Sequence, residues 1–219
     1  MISILMPIYN GIEFIDESVS SILEQTFSDW ELIIGINGFP ENSDVFKKAY
    51  EYSSDKVRVI DLFTIKGKAN ALNEMIKFCN YDYVAILDVD DIWYPDKLKL
   101  QIAFLGNYDV IGSRCVYFGD INNIVPHIPV GDFSEADFNT GNPVINSSSI
   151  IRKSLCYWNH DWNGVEDYNL WLTLKKQKKF FYNCSDVLVK HRIHKTSAFN
   201  AQGNNNLVDD LKKIYSQSI

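Results

Sequence analysis

Cysteine motifs, an excess of basic charge and long apolar runs are all missing from this 219-residue sequence. Its four cysteines, Cys79, Cys115, Cys156 and Cys184, stand 36, 41 and 28 residues apart, with no CxxC and no neighbouring histidine pair. That excludes zinc-finger and dithiol redox motifs and leaves reduced thiols packed as small hydrophobes. With 28 acidic against 21 basic residues the formal net charge is −7, which repels phosphate backbones, so nucleic acid is not an expected partner. No apolar run approaches the roughly 20 residues needed to cross a bilayer. The first residues, MISILMPIYNG, are apolar for too short a distance to be a secretory signal and lack a basic start. A cytoplasmic protein is expected, with room for a peripheral membrane contact.

What is present fits a folded globular chain. Hydrophobic residues make up 46% and charged residues 22%, and the length suits one sizeable core, hence a single domain over 1–219. Ile2–Met6 reads as a buried strand stopped by Pro7, and residues 12–23 place apolar side chains at helical spacing. Strands are expected at Trp30–Ile36, Val57–Phe63 and Tyr83–Leu87, with helices at Ser43–Tyr52 and Ala69–Phe78 between them. Pro95 reads as the first residue of another helix, running to about Leu105. Such alternation predicts an α/β fold with a mainly parallel central sheet flanked by helices. Beyond Tyr108 the pattern turns mixed: strands at Val110–Phe118, Ile124–Ile128, Ser147–Ile151 and Val187–Ile193, an amphipathic helix over Gly164–Gln177, and a charged helix opening at Asn204–Asn206. The short polar segment NAQGNNN is the one compositional oddity.

The stretch YVAILDVDDIWYP sets Asp88, Asp90 and Asp91 directly after the fourth expected strand, at the carboxyl edge where ligands of such sheets bind. Clustered carboxylates repel and resist desolvation unless something neutralises them. A solvated, helix-capping loop is one explanation. An EF-hand loop needs glycine at its sixth position, and counting from Asp88 that residue is Trp93. An aspartyl phosphatase carries its DxD after the first strand, whereas here 87 residues precede it. The favoured reading is a divalent cation, Mn²⁺ or Mg²⁺, held by hard oxygen ligands and completed by substrate phosphate.

Five segments in order, PIYNG from Pro7, Lys66–Asn70, YVAILDVDDIWYPDKL from Tyr83, VEDYNLWLTL from Val165 and HRIHKTS from His191, resemble the family 2 glycosyltransferases, inverting nucleotide-sugar enzymes of GT-A (Rossmann-like) fold. The resemblance implies that residues 1–107 form a nucleotide-binding half ending in the DxD region, and residues 108–219 an acceptor-side half. It implies a donor site of Pro7, Tyr9, Asn10, Asn37, Lys66, Lys68, Asn70, Asp88 and Asp91. Asp90 is the implied metal ligand, with His194 approaching metal and diphosphate. Asp167 of the Glu166–Asp167 pair is implied as general base, with Glu166, Trp93 and Trp162 on the acceptor side. The partners implied are a nucleoside-diphosphate sugar, by default a UDP-sugar, and a glycan or lipid-linked acceptor.

Simpler roles exist for several of these residues. Asp167 could merely complement a helix dipole, Lys66 and Lys68 could be solvated, and the tryptophans could belong to the core or its rim. His191 and His194 are three apart on an expected strand, so they face opposite ways and should not chelate one ion together. One departure stands out. Where the family places an acidic pair after its second strand, this chain has Ile36-Asn37-Gly38-Phe39, which leaves the nucleotide open. The chain ends soon after HRIHKTS, so a single transfer is expected rather than processive synthesis. The competing readings are a sugar-nucleotide nucleotidyltransferase, against which PIYNGIEF offers no basic residue, and a non-catalytic nucleotide-sugar or glycan-binding protein, against which Asp167 is retained.

Overall fold

Seven successive residues, Ile2–Ile8, have no side chain in water, a pattern that requires a strand covered on both faces. The computed structural model, which describes residues 1–195 and 205–216, makes this β1 an interior strand of a nine-stranded sheet. It pairs in parallel with β2 (Trp30–Asn37) and β4 (Tyr83–Ile86), and β2 pairs in parallel with β3 (Val57–Leu62). Between them run α1 (Ile15–Leu23), α2 (Asp44–Tyr50, capped by the Ser43 hydroxyl) and α3 (Lys68–Met75).

After β4 the order becomes β5 (Ile92–Trp93), α4 (Lys97–Gln101), β6 (Val110–Gly119), β7 (Gly131–Asp132), β8 (Ile150–Arg152), α5 (Glu166–Lys176), β9 (Phe181–Ile193) and α6 (Asn205–Ser216). The sheet reads β3-β2-β1-β4-β8-β6-β9-β5, with β7 beside β9. β8 runs antiparallel to both its neighbours, while β6 and β9 are parallel with an irregular register around Arg114. Helices α3 and α5 cover one face through Leu72, Met75, Leu170, Trp171 and Leu174. On the other face Ile15, Val19, Phe46 and Leu98 pack over Ile4, Ile34 and Ile36. Burying both faces puts the open edge of the sheet's chemistry at the carboxyl ends of β1, β2 and β4. Among the described residues no helix is long and apolar enough to cross a membrane.

Several boundaries differ from expectation for identifiable reasons. Pro7 lies inside β1, opposite Gly35. The carbonyl of Leu5 already faces β4, accepting from the Leu87 N–H at 3.0 Å, and the β1–β4 register ends at Leu5. By the two-residue period the N–H that Pro7 lacks would face the same, vacated side. Pro95 precedes α4 by two residues instead of opening it. Residues 124–128 form no strand, because Pro126 and Pro129 interrupt the donors a ladder needs. Asn146–Ser148 is a 3-10 turn, so of the expected strand only Ile150 and Ile151 pair, and β8 runs on to Arg152. β9 begins six residues early, since its polar Asn183 is fully buried and donates to the carbonyls of Pro129 and Pro143 at 2.8 and 2.9 Å. Asn204 and residues 200–203 of the NAQGNNN segment, with Thr196 and Ser197, lie outside the described residues.

Gly35 marks where α3 comes closest to the sheet. A β-carbon there would stand 2.6 Å from Met75 Sδ and 2.9 Å from a Leu62 methyl. Gly35→Ala is expected to lower stability by about 1–3 kcal/mol through overpacking, read as a fall in the urea midpoint with unchanged slope.

Candidate active site

The loop after β4 turns sharply, the Asp91 N–H donating to the Asp88 carbonyl at 3.0 Å, and that turn sends the three carboxylates in different directions. The Ser147 hydroxyl anchors its start by accepting from the Asp88 N–H at 3.1 Å. Asp88 meets the Lys68 ammonium at 2.6 Å and accepts from Asn146 Nδ2 at 3.0 Å. Burial alone would raise this acid, but the Lys68 charge overrides it and holds Asp88 below the usual carboxylate range. Asp91 is fully buried, accepting from the Arg192 N–H at 2.8 Å and bonded to His191 Nδ1 at 2.9 Å. His191, though burial opposes its charge, is lifted to about 9 by Asp91.

Asp90 is the acid the protein leaves short of positive charge. Burial raises it, and Asp91 and Asp88 raise it further. Its carboxylate lies 2.9 Å from His194 Nε2, and its carbonyl accepts from Arg192 Nε at 2.8 Å. The Arg192 guanidinium is sandwiched between the rings of Phe14 and Phe118, at 4.2 and 4.3 Å. The two histidines thus meet different carboxylates. One carboxylate oxygen beside one imidazole nitrogen, in a field of surplus negative charge, fits a divalent cation. Among the described residues no three His, Cys, Asp or Glu side chains are grouped to enclose one.

The second group of acids opens α5. The carboxylate of Glu166 turns back to accept from the Gly164 N–H and lies 3.8 Å from Lys68 Nζ. Asp167 accepts from Asn142 Nδ2 at 2.9 Å. Burial, then the neighbouring Glu166, push Asp167 up to about 6, against the opposing pull of Lys68, the Tyr168 N–H and Asn142. The two sets of acids are held in one recess by Asn163, whose Oδ1 accepts from the Lys68 N–H at 2.8 Å. Gly67, at φ +83°, makes that approach by lacking a side chain: a β-carbon would stand 2.9 Å from the same oxygen. Lys68, paired with its two acids, is raised above its ordinary value despite burial.

At the sheet edge beyond β1 and β2, Tyr9, Asn10, Phe39, Val45 and His194 line a hollow of about 360 Å³. Tyr9 is 64% exposed, its ring 6.2 Å from that of Phe39, and Gly38 at φ +86° makes room for it. Lys66 and Asn70 are exposed, and Asn70 Nδ2 donates to the Lys66 carbonyl. Trp162 is half-buried at the rim of the α3–α5 core. A larger hollow, of about 480 Å³ among Pro129, Phe133 and Phe180, shares no residue with these groups.

Four expectations are corrected. Trp93 does not face an acceptor: it is 3% exposed, donates to the Ser147 carbonyl at 2.6 Å and lies over the Lys97 ammonium. Asp91 has no exposed surface to offer a donor and instead ties the loop to β9. Asn37 is 2% exposed, so its amide is closed to a base edge, and Glu166 at 5% is an inward buttress. Sequence reading missed Asn142, Asn146 and Asn163, because asparagine in a Gly- and Pro-rich loop reads as turn chemistry and carries no period.

Comparison with known proteins places these features in context. The profile of glycosyl transferase family 2 matches residues 3–160. The Escherichia coli UDP-Glc:alpha-D-GlcNAc-diphosphoundecaprenol beta-1,3-glucosyltransferase WfgD is 28% identical over 214 residues, covering 90% of this chain and 79% of that protein. The putative glycosyltransferase EpsE of Bacillus subtilis is likewise 28% identical, over 98% of this chain and 80% of its own. In fold, the chain matches S. aureus TarS 1-349 in complex with UDP at a TM-score of 0.70 and 18% identity, with 98% of this chain and 64% of that one covered. It also matches the mannosyltransferase PcManGT from Pyrobaculum calidifontis in complex with GDP-Man and Mn²⁺, at 0.68 and 16%, over 90% of this chain and 58% of that one. The chain thus spans less than two thirds of these solved structures, 64% of one and 58% of the other.

Among the described residues Lys68 is the one cation paired with both Asp88 and Glu166, so Lys68→Met leaves a half-buried and a buried acid opposed. A loss of about 2 kcal/mol at pH 7 is expected, less than for a fully buried pair. Asp88 is held low in the folded state, so its contribution is present above the ordinary carboxylate pKa and is lost on acidification. The deficit should therefore shrink toward pH 3, and Asp88→Asn in the Lys68→Met background should recover part of it, both read by denaturant titration.

Proposed function

Since this chain belongs to glycosyl transferase family 2, and is a glycosyltransferase on that ground, we propose that it moves one sugar, with inversion, from a nucleoside-diphosphate sugar to an acceptor hydroxyl. The observation that carries the reading is Asp167. It sits in the first turn of α5, tuned to about 6 and joined through Lys68 to the donor-side Asp88. A base tuned close to the working pH accepts a proton without losing its ionised population.

In the proposed reaction Asp167 takes the proton of the acceptor hydroxyl as its oxygen bonds to the anomeric carbon. The bond from that carbon to the diphosphate oxygen breaks, and its electron pair leaves with the nucleoside diphosphate. One displacement inverts the centre, so one base suffices. Asp90 and His194 would hold a divalent cation, Mn²⁺ or Mg²⁺, whose chemistry when bound is to neutralise the departing diphosphate. Arg192 fixes the Asp90 backbone, and the Asp91–His191 pair holds the loop to β9. Tyr9, Asn10 and Phe39 receive the nucleoside side, with Pro7 setting the course of that loop. Lys66 and Asn70, both exposed, stand at the edge of the donor side. Residues 1–107 bind the donor and 108–219 the acceptor, where Trp162 offers a half-buried ring.

TarS with UDP and WfgD, named for UDP-Glc and a diphosphoundecaprenol acceptor, support a UDP-sugar and a lipid-linked or glycan acceptor. PcManGT with GDP-Man and Mn²⁺ supports the cation and keeps GDP among the nucleotides to test.

A thermal-shift screen of nucleotide sugars with Mn²⁺ names the donor, because ligand binding to the native state raises the melting temperature. With that donor, Asp167→Asn should retain binding and lose turnover by at least about 10²-fold. Wild-type kcat should fall as pH drops through about 6, where the base takes up a proton. Equal turnover by the mutant would remove Asp167 from the mechanism. Asp90→Ala should weaken UDP binding only when Mn²⁺ or Mg²⁺ is present. Identical calorimetric affinities with and without metal in the wild type would rule out a metal role.

A further inference from the structure

The loop carrying Asn142 is built more firmly than its exposure suggests. Gly141-Asn142-Pro143-Val144 leads out of a 3-10 turn, Phe138–Thr140, whose Phe138 carbonyl accepts from the Tyr168 hydroxyl of α5 at 2.5 Å. Three residues past that turn, the Pro143 carbonyl accepts from buried Asn183 at 2.9 Å, and Val144 is itself buried. Pro143 restricts Asn142 to extended backbone. The Asn142 side-chain oxygen is occupied, accepting from the Val144 N–H at 3.3 Å. With the oxygen so engaged the amide cannot flip without losing a bond, and its NH₂ is turned onto Asp167 Oδ2 at 2.9 Å.

We propose that Asn142 is the positioning residue of the Asp167 carboxylate: it fixes Oδ2 by a donated hydrogen bond and so decides which way the base presents itself to the acceptor hydroxyl. This rests on the reading of Asp167 as the base. The charged groups facing Asp167 are Glu166 on its own helix and Lys68 on α3; Asn142 is the neutral donor from the acceptor-side loop. A neutral donor suits this place. A second cation would hold the carboxylate too far down to take a proton, and another acid would drive it up beside Glu166.

The test has one arm independent of any substrate. The carboxyl carbon of Asp167, assigned by its absence in Asp167→Asn, is titrated by NMR in wild type, Asn142→Ala and Asn142→Asp. Losing a donor to the ionised form raises the midpoint, so Asn142→Ala should titrate about half a unit to one unit above wild type, and Asn142→Asp higher still. The second arm uses the nucleotide sugar selected by the thermal-shift screen. Asn142→Ala should lower kcat about tenfold, the scale of one hydrogen bond to a charged group, and shift its acid limb upward in step with the NMR midpoint. Calorimetric affinity for UDP with Mn²⁺ should not change, and Asn142→Ser, which keeps a donor, should fall between.

Superimposable carboxyl titrations in wild type and Asn142→Ala would overturn the inference, as would a loss confined to acceptor KM. The two readings fail separately. Turnover by Asp167→Asn retires the base and this inference with it, whereas a flat titration beside an inactive Asp167→Asn retires only the role of Asn142.

Discussion

Lys68 reaches Asp88 at 2.6 Å and Glu166 at 3.8 Å, and the site's other interactions presuppose that placement. Asp88 comes from the end of a parallel strand and Glu166 from the first turn of a helix 78 residues later in the sequence, so two chain segments each deliver negative charge to one recess. Without a cation between them the Coulomb cost would fall on both. Lys68 is itself set at the N-terminus of α3, where the helix dipole disfavours a positive charge. It stays because Asn163 takes its N–H and the carboxylates hold its ammonium. The lysine thus joins Asp88, Glu166 and Asp167 in one electrostatic unit.

The same constraint explains why Asp88, Asp90 and Asp91 are not equivalent. Asp88 has a lysine and Asp91 has a histidine lifted to about 9, so both are matched by charges the protein supplies. Asp90 has His194 but sits in the field of both neighbours and is raised rather than lowered. A cation arriving with a diphosphate would find in Asp90 the carboxylate whose charge the fold has not already satisfied. The polar side of that arrangement is rigid because Arg192 is stacked between two aromatic rings and holds the loop by its carbonyl.

Much of the first half was legible in the sequence because its strands are uniform apolar runs and its helices amphipathic, so a single period identifies each. The second half uses other means. Ser147, Ser148 and Ser149 are buried at 1% or less, and their hydroxyls take over bonds a ladder would make, to the Asp88 N–H, the Ser113 N–H and the Asn146 carbonyl. Asn183 does the same inside β9. A polar run that satisfies itself locally looks like a loop from its composition. In the site the acids were visible because they follow a strand or open a helix, whereas their partners come from loops far away in sequence. Trp93 misled for the converse reason: an aromatic beside three acids suggests a sugar platform, but its indole N–H is spent on Ser147 within the core.

The raised Asp167 has an energetic side that follows from its sign. Its folded pKa, about 6, lies above the ordinary 3.8, so between these values the native chain holds a proton that the unfolded chain has released. The unfolded state then binds fewer protons, and stability falls as pH rises through that window. Above it, at neutral pH, the folded protein carries the whole penalty of an ionised, desolvated carboxylate next to Glu166. Asn142, the Tyr168 N–H and Lys68 offset part of that penalty without abolishing it, because abolishing it would return the acid to an ordinary pKa and leave a poor proton acceptor. A site optimised for stability would neutralise Asp167 as thoroughly as it does Asp88. Asp167 is only half compensated, by neutral donors and a lysine already shared between two other carboxylates, which is what the proposed role in proton transfer requires.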